Sequence, residues 1–179
     1  MNTSGIGKII FTEEQIQRRV AEVGRQIAWD YQGSELVVVS VLKGSLYFMA
    51  DLTRSIDLPL EVDFLSIGVS AESNHKAGAV RFTKDLDVKI EGRDVLLAED
   101  VIGTGLTLGY ICQHLEASKP ASLKICTLLD NPAGRLLPIN IDYRCFEMPD
   151  TFLIGYGLDY REKYRNLPYI AEFIKNHVK

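Results

Sequence analysis

Two carboxylates, Glu99 and Asp100, stand side by side just ahead of the run Gly103-Thr104-Gly105-Leu106-Thr107. The whole stretch reads VLLAEDVIGTGLTL, residues 95–108. Adjacent acids that follow an apolar run are costly to bury unless cations or hydroxyls meet them. The Gly/Thr run opens an apolar, helix-like segment over 108–115. A loop of that kind offers several backbone N–H groups and two hydroxyls to an anion, helped by the helix dipole. If 95–98 is a buried parallel strand, the acids sit at its C-terminal end, where open α/β sheets bind their ligands. A ribose diol plus a phosphate would satisfy both halves of the element. Taken alone, a Gly-rich turn also fits an ordinary strand–loop–helix connection with solubilising acids, so other residues must decide.

Lys43 is the next candidate, a cation at the end of the β-branched run 36–42, followed by Gly44, which permits close backbone approach. By itself a lysine there is an ordinary solvated strand end. Three stretches together resemble the type I phosphoribosyltransferases, closest to the hypoxanthine/guanine branch, over almost the whole chain. EDVIGTGLT resembles the signature for phosphoribosyl pyrophosphate (PRPP), and VLKGS (41–45) resembles the pyrophosphate loop. FEMPDTFLIGYGLDY (146–160), continuing through YRNLPYI (164–170), is similar to the purine-binding C-terminal segment.

The resemblance implies transfer of a phosphoribosyl group from PRPP to a 6-oxopurine, giving a nucleoside monophosphate and pyrophosphate. It implies that Glu99 and Asp100 approach the ribose hydroxyls and a divalent cation. Gly103, Thr104, Gly105, Leu106 and Thr107 would hold the 5′-phosphate, and Lys43, Gly44 and Arg165 would meet pyrophosphate. Phe152 would stack on the purine, Leu153 would hydrogen-bond it through the backbone, and Asp159 would serve the metal and the purine edge. Mg²⁺ suits the hard oxygen ligands of such a site, with Glu99, Asp100 and Asp159 as the protein's donors.

Three positions depart from the family pattern. Gly103 stands where an aspartate is assigned as general base, and Asn140 falls, by spacing to Asp142 and Phe146, where a lysine donates to the purine 6-oxo group. Val69-Ser70 replaces a Ser-Tyr pair in the lid. If 140–144 is extended, Asn140, Asp142 and Arg144 share a face, so Arg144 could supply the missing cation. Two of the three departures touch purine chemistry while the PRPP-facing residues are intact. Two readings follow: a Mg²⁺-dependent purine phosphoribosyltransferase, or a PRPP- or nucleotide-binding homologue with weak or no transferase activity.

Composition narrows the field further. Of 179 residues, 46% are hydrophobic and 25% charged, as in a globular domain. A net charge of −4 repels nucleic acid and anionic membranes on average, which disfavours an RNA-binding regulator. Cys112, Cys126 and Cys145 are odd in number and form no CxxC pair, so neither a zinc site nor a disulfide framework is indicated. Cys112 and Cys126 read as small core residues. Without a signal segment or an apolar run of spanning length, a reducing cytoplasm is expected, with a homodimer or homotetramer implied by the resemblance.

The elements that must position these residues follow in order. Thr12 and Gln15 form a capping box ahead of a helix whose apolar face is Ile16, Val20, Val23 and Ile27. A strand over 36–42 leads to a helix over 46–56, with Leu46, Met49, Ala50 and Thr53 on one side. Next come a strand over 60–67, a lid-like loop over 68–78 containing Glu72, His75 and Lys76, and a strand at 79–83. The central strand and helix are followed by strands at 122–129, 143–147 and 152–154. A turn or short helix is expected at 160–165, and a closing segment at 169–174. Alternating strands and helices, with strands apolar throughout, predict an α/β fold: a doubly wound, mostly parallel sheet flanked by helices. The resemblance adds a small C-terminal hood. The expected organisation is one domain, 1–179, with a core over about 9–137 and a purine-binding hood over about 138–179.

Overall fold

The structure, a computed structural model, describes residues 5–69 and 80–174. The lid residues Ser70, Glu72, His75 and Lys76 lie outside the described residues. The elements run β1 (Ile6–Phe11), α1 (Glu13–Asp30), β2 (Leu36–Leu42), α2 (Leu46–Arg54), β3 (Leu60–Val69), β4 (Val80–Lys84), β5 (Asp94–Ile102), α3 (Leu106–Ala117), β6 (Ser122–Asp130), β7 (Tyr143–Glu147), β8 (Leu153–Ile154) and β9 (Ile170–Phe173). Six strands form one sheet in the order β4-β3-β2-β5-β6-β7. All neighbours in it are parallel except β4, which is antiparallel to β3. The fold is thus the mixed, largely parallel α/β sheet that the apolar strand runs predict, with a small antiparallel sheet, β1-β9-β8, beside it.

Strand alternation divides the interior in two. Val38, Leu96 and Ala98 pack with Ile16, Val20, Val23 and Ile27 of α1 and with Phe48, Met49 and Leu52 of α2. Val37, Val39, Val95 and Leu97 pack with Ile111 and Leu115 of α3. Central strands covered on both faces explain why 36–42 and 95–98 are continuous apolar runs rather than alternating ones. The capping box holds: Gln15 N donates to Thr12 Oγ1 at 3.3 Å, and Thr12 N donates to Gln15 Oε1 at 2.8 Å.

Several expectations need correction. On α2 the buried stripe is Phe48, Met49 and Leu52, while Leu46 is 45% exposed. Phe48 and Leu52, at i, i+4, share a core cluster with Ile16, Val20 and Val23 of α1, so the buried stripe has the expected spacing but is turned from Leu46 and Ala50. The division drawn at residue 138 does not follow the sheets. β7 extends the parallel sheet by pairing with β6 from Cys126↔Tyr143 to Asp130↔Glu147, whereas β1, at the other end of the chain, joins the hood through β9. The closing segment at 169–174 contains β9, which completes the small sheet between β1 and β8. Of the two forms expected at 160–165, the turn is the one found, closed by paired Tyr160–Lys163 backbone bonds.

Candidate active site

The Gly/Thr run connects β5 to α3, as its sequence implies, with Gly105 at φ 83° as the residue before the helix. Its carbonyls are turned away from the cleft. Gly103 O accepts from Arg135 Nε at 3.1 Å, and Thr104 O accepts from Leu136 N at 2.9 Å and Leu137 N at 3.1 Å. Because a trans peptide points its N–H opposite its C=O, the amides of Thr104 and Gly105 face the other way. They look toward a hollow of about 220 Å³ lined by Val101, Ile102, Gly103, Thr104, Gly105, Thr107 and Leu108. Such a cradle at a helix N-terminus suits a phosphate.

Asp100 lies against the loop that follows β2. A Cβ at Gly44 would overlap Asp100 Oδ2, so only glycine permits this approach. The Leu42-Lys43 peptide is cis. Asp100 Oδ1 accepts from Val101 N at 2.8 Å. Burial holds the Asp100 carboxyl above the usual range, with the neighbouring Asp159 adding to the effect and Arg165 opposing it. Arg165 Nη2 pairs with Asp159 Oδ1 at 2.8 Å, and Arg165 Nη1 donates to Gly157 O at 2.7 Å. Asp100, Phe152, Leu153, Asp159 and Arg165 all line one hollow of about 230 Å³. Phe152 keeps 46% exposure there, its ring edge-on to Tyr160 and Phe173 at centroid distances of 6.0 and 6.2 Å.

Glu99 is placed apart from this group. It continues the Val95–Leu97 face toward α3, while its neighbour Asp100 meets Gly44. The Glu99 carboxyl is buried, with Oε1 lacking a hydrogen-bond partner, and desolvation first, then the charge of Asp100, pushes its pKa well up. The expected trio Glu99, Asp100 and Asp159 is therefore not gathered into one metal cluster. Among the described residues no group of three His, Cys, Asp or Glu side chains is placed to hold a metal. What fits a divalent cation is the mutually repelling Asp100–Asp159 pair, completed by ligand oxygens.

The buried Glu99 has a consequence for stability. With its folded pKa above its unfolded one, the native state holds a proton that the unfolded chain has released. Stability is full below the unfolded value near 4.3 and falls as pH rises toward the folded value. Glu99→Gln is expected to remove that fall. At pH 8 the ligand-free variant should be upwards of about 1 kcal/mol more stable than wild type, or about 2–4 °C in Tm. Thermal melts from pH 4 to 8 check this; parallel curves for the two proteins would show that the carboxyl carries no such penalty.

The structure does not bring Asn140 or Arg144 into the hollow with Phe152. Both line a separate outer cleft of about 570 Å³ at the β7 edge. Asn140 Nδ2 donates to Asp142 Oδ1 at 3.3 Å, and Arg144 Nη1 pairs with Asp130 Oδ2 at 3.0 Å. Asp130, buried, is also paired with Arg135, the residue that holds the Gly103 carbonyl. Sequence reasoning missed this Asp130–Arg135 support, and it missed Glu162, which bridges Lys43 and Arg165. Lys43 and Glu162 are 119 residues apart, and Asp130 and Arg135, five apart, lie across the end of a strand where no helical or strand spacing marks them. The three cysteines are free, and burial pushes their thiols up, Cys112 to about 11 and Cys145 to about 12, in keeping with packing rather than reactivity.

Comparison with known proteins places this geometry. The phosphoribosyl transferase domain family matches residues 8–161. The hypoxanthine-guanine phosphoribosyltransferase of Bacillus subtilis (strain 168) is 48% identical over 166 residues, spanning 93% of this chain and 92% of that protein. A crystal structure of a hypoxanthine phosphoribosyltransferase from Staphylococcus aureus superposes with a TM-score of 0.89 at 45% identity, covering 95% of this chain and 92% of the other. The hypoxanthine phosphoribosyl transferase of Trypanosoma cruzi gives 0.88 at 40% identity, with 95% and 92% covered.

Proposed function

The chain belongs to the phosphoribosyltransferase family, and we propose that it transfers the 5-phosphoribosyl group of PRPP to hypoxanthine or guanine in purine salvage. The observation that carries this reading is the meeting of Asp100, Gly44 and Arg165 beside the 103–107 loop, at the C-terminal ends of β2 and β5. In the reaction a purine nitrogen bonds to C1 of the ribose while the C1–O bond to pyrophosphate breaks, its electron pair leaving with pyrophosphate. The proton of the purine N–H must go to a base or to solvent. Positive charge builds on the sugar and negative charge on the leaving group, so fixed donors and acceptors contribute most when they are already in place.

The roles divide accordingly. The amides of Thr104 and Gly105, with the Thr104 and Thr107 hydroxyls, hold the 5′-phosphate. Asp100 meets the ribose hydroxyls from the Gly44 side of β5, and a hydroxyl reaching the α3 side of the strand would satisfy the unpartnered Oε1 of Glu99. Lys43 and Arg165 take the charge of pyrophosphate. Phe152 offers a face to the purine, and Leu153 offers backbone groups. Mg²⁺, held by Asp100 and Asp159 with oxygens of the substrate, would neutralise the pyrophosphate charge. Asn140 lines the cleft beside β7 and not the hollow of Phe152, so the purine-facing roles rest on Phe152, Leu153 and Asp159. Exposed Leu46, Tyr47 and Val62 favour assembly as a homodimer or homotetramer, and three free cysteines favour the cytoplasm. Among the described residues no helix is long and apolar enough to cross a membrane.

Mg²⁺–PRPP at about 100 times its Kd is expected to stabilise the protein by about 2.7 kcal/mol. For a chain of this size that raises Tm by about 5–10 °C. Asp100→Ala should lose most of that shift. Absence of any shift in wild type at millimolar PRPP would sink the assignment. Product formation from PRPP with hypoxanthine, guanine, xanthine and adenine then fixes the base.

A further inference from the structure

Glu162 stands between the two cations assigned to pyrophosphate. Its Oε2 accepts from Lys43 Nζ at 3.0 Å, and its Oε1 accepts from Arg165 Nη2 at 3.2 Å. One carboxylate thus places an oxygen on each cation, much as a phosphoryl group presents separate oxygens to separate donors. The chain is bent to put it there. Arg161, Glu162 and Tyr164 all have left-handed backbone, at φ 54°, 61° and 76°. Non-glycine residues adopt this conformation rarely, and such departures concentrate at functional sites. Glu162 N donating to Asp159 Oδ2 at 2.8 Å and the Tyr160–Lys163 pairing hold the bend.

The bridge is also built to open. The side chains of Lys43 and Glu162 are 67% and 65% exposed, whereas those of Arg165 and Asp159 are only 22% and 28% exposed. Exposed ion pairs contribute little and yield to a stronger competitor. A pyrophosphate group brings more charge and more oxygens than one carboxylate, so it displaces Glu162 while the Arg165–Asp159 pair stays in place. Lys43 otherwise projects into solvent, and the carboxylate keeps it oriented beside Arg165.

We propose that Glu162 is a resident carboxylate that occupies the Lys43–Arg165 pair in the absence of ligand and competes with the pyrophosphate group of PRPP and of the product. The proposal rests on the assignment of those two cations to pyrophosphate. Its consequence is a weaker hold on both ligands and faster product escape, because Glu162 re-engages the cations as pyrophosphate leaves. Nucleoside monophosphate, whose phosphate sits in the 103–107 loop, is indifferent to it. Two other roles predict opposite results. A metal ligand would strengthen pyrophosphate binding, and a purely structural staple would affect every ligand together with Tm.

Calorimetric titration of inorganic pyrophosphate in excess Mg²⁺, and of IMP, into wild type and Glu162→Gln tests the idea. Glu162→Gln is expected to bind pyrophosphate about three- to tenfold more tightly, with IMP affinity unchanged. Pyrophosphate should become a correspondingly stronger product inhibitor. Unchanged or weaker pyrophosphate binding with IMP binding intact would overturn the role of Glu162 and leave the assignment of the cations standing. Wild-type protein that binds no pyrophosphate, or binds it equally after Lys43→Ala, would remove that assignment and the proposal with it. If the glutamine variant melts early, Glu162→Asp, which keeps the charge but shortens its reach, supplies the same comparison.

Discussion

Gly103→Asp is expected to raise the turnover of this protein by about 10²- to 10⁴-fold with hypoxanthine, the ordinary contribution of a positioned general base. In barrier terms that is roughly 3–5 kcal/mol. The backbone at Gly103 is not in the left-handed region, and a Cβ there meets nothing within 4 Å, so the new carboxylate enters open space. Arg135, bonded to the Gly103 carbonyl, fixes the peptide on which it would stand. The natural sequence has no ready substitute among the described residues. Asp130, at the end of the neighbouring strand, is held between Arg135 and Arg144. The wild-type rate should climb with pH as more of the purine is already deprotonated in solution, and the variant's profile should be flatter over pH 6–9. PRPP affinity should change little, because the gain lies in the chemical step. A wild-type enzyme that is already fast, and that the substitution leaves unchanged or slows, would show that position 103 never needed a base.

The parts of the molecule that were legible in the sequence are those set by local rules. Thr12 and Gln15 cap α1 because a side chain three residues on can reach back, and 36–42 and 95–98 form buried strands because their apolar runs leave no solvent face, although β5 runs on through the two acids to Ile102. The 103–107 loop was legible for the same reason: glycine, hydroxyls and a following helix are contiguous. What stayed hidden depends on how distant segments meet. Whether Asn140 faces the cleft or the outer edge turns on the path of 135–142, which Thr104 O and Arg135 fix and no periodicity reveals. β1 and β9 pair across nearly the whole chain, so the hood could not be bounded by a cut at residue 138. Glu99 and Asp100 look alike as neighbours in sequence, yet one faces α3 and the other meets Gly44. Strand alternation contained that separation, but the shared motif drew both acids toward one metal.

Gly157→Ala is expected to cost about 3 kcal/mol or more of stability, lowering Tm by roughly 6–12 °C, and to remove pyrophosphate binding. Two effects add at this residue. Its φ of 101° is one that L side chains rarely adopt, and a Cβ would fall inside contact distance of the Gly44 carbonyl oxygen, a backbone atom that cannot swing aside. Gly157 also anchors the cation of the hood loop: its N donates to Arg165 O at 2.9 Å, and its O accepts from Arg165 Nη1 at 2.7 Å. Pushing Gly157 away from Gly44 therefore separates Arg165 from Lys43, the two groups that must meet one pyrophosphate. Gly92→Ala isolates the conformational part, since Gly92 has φ 72° with nothing within 4 Å of the added Cβ. That control should cost only about 1 kcal/mol and leave pyrophosphate affinity intact. Denaturant melts and pyrophosphate titrations on both variants make the comparison. If Gly157→Ala proves no worse than Gly92→Ala, the approach of the hood loop to Gly44 is not what holds the two cations together.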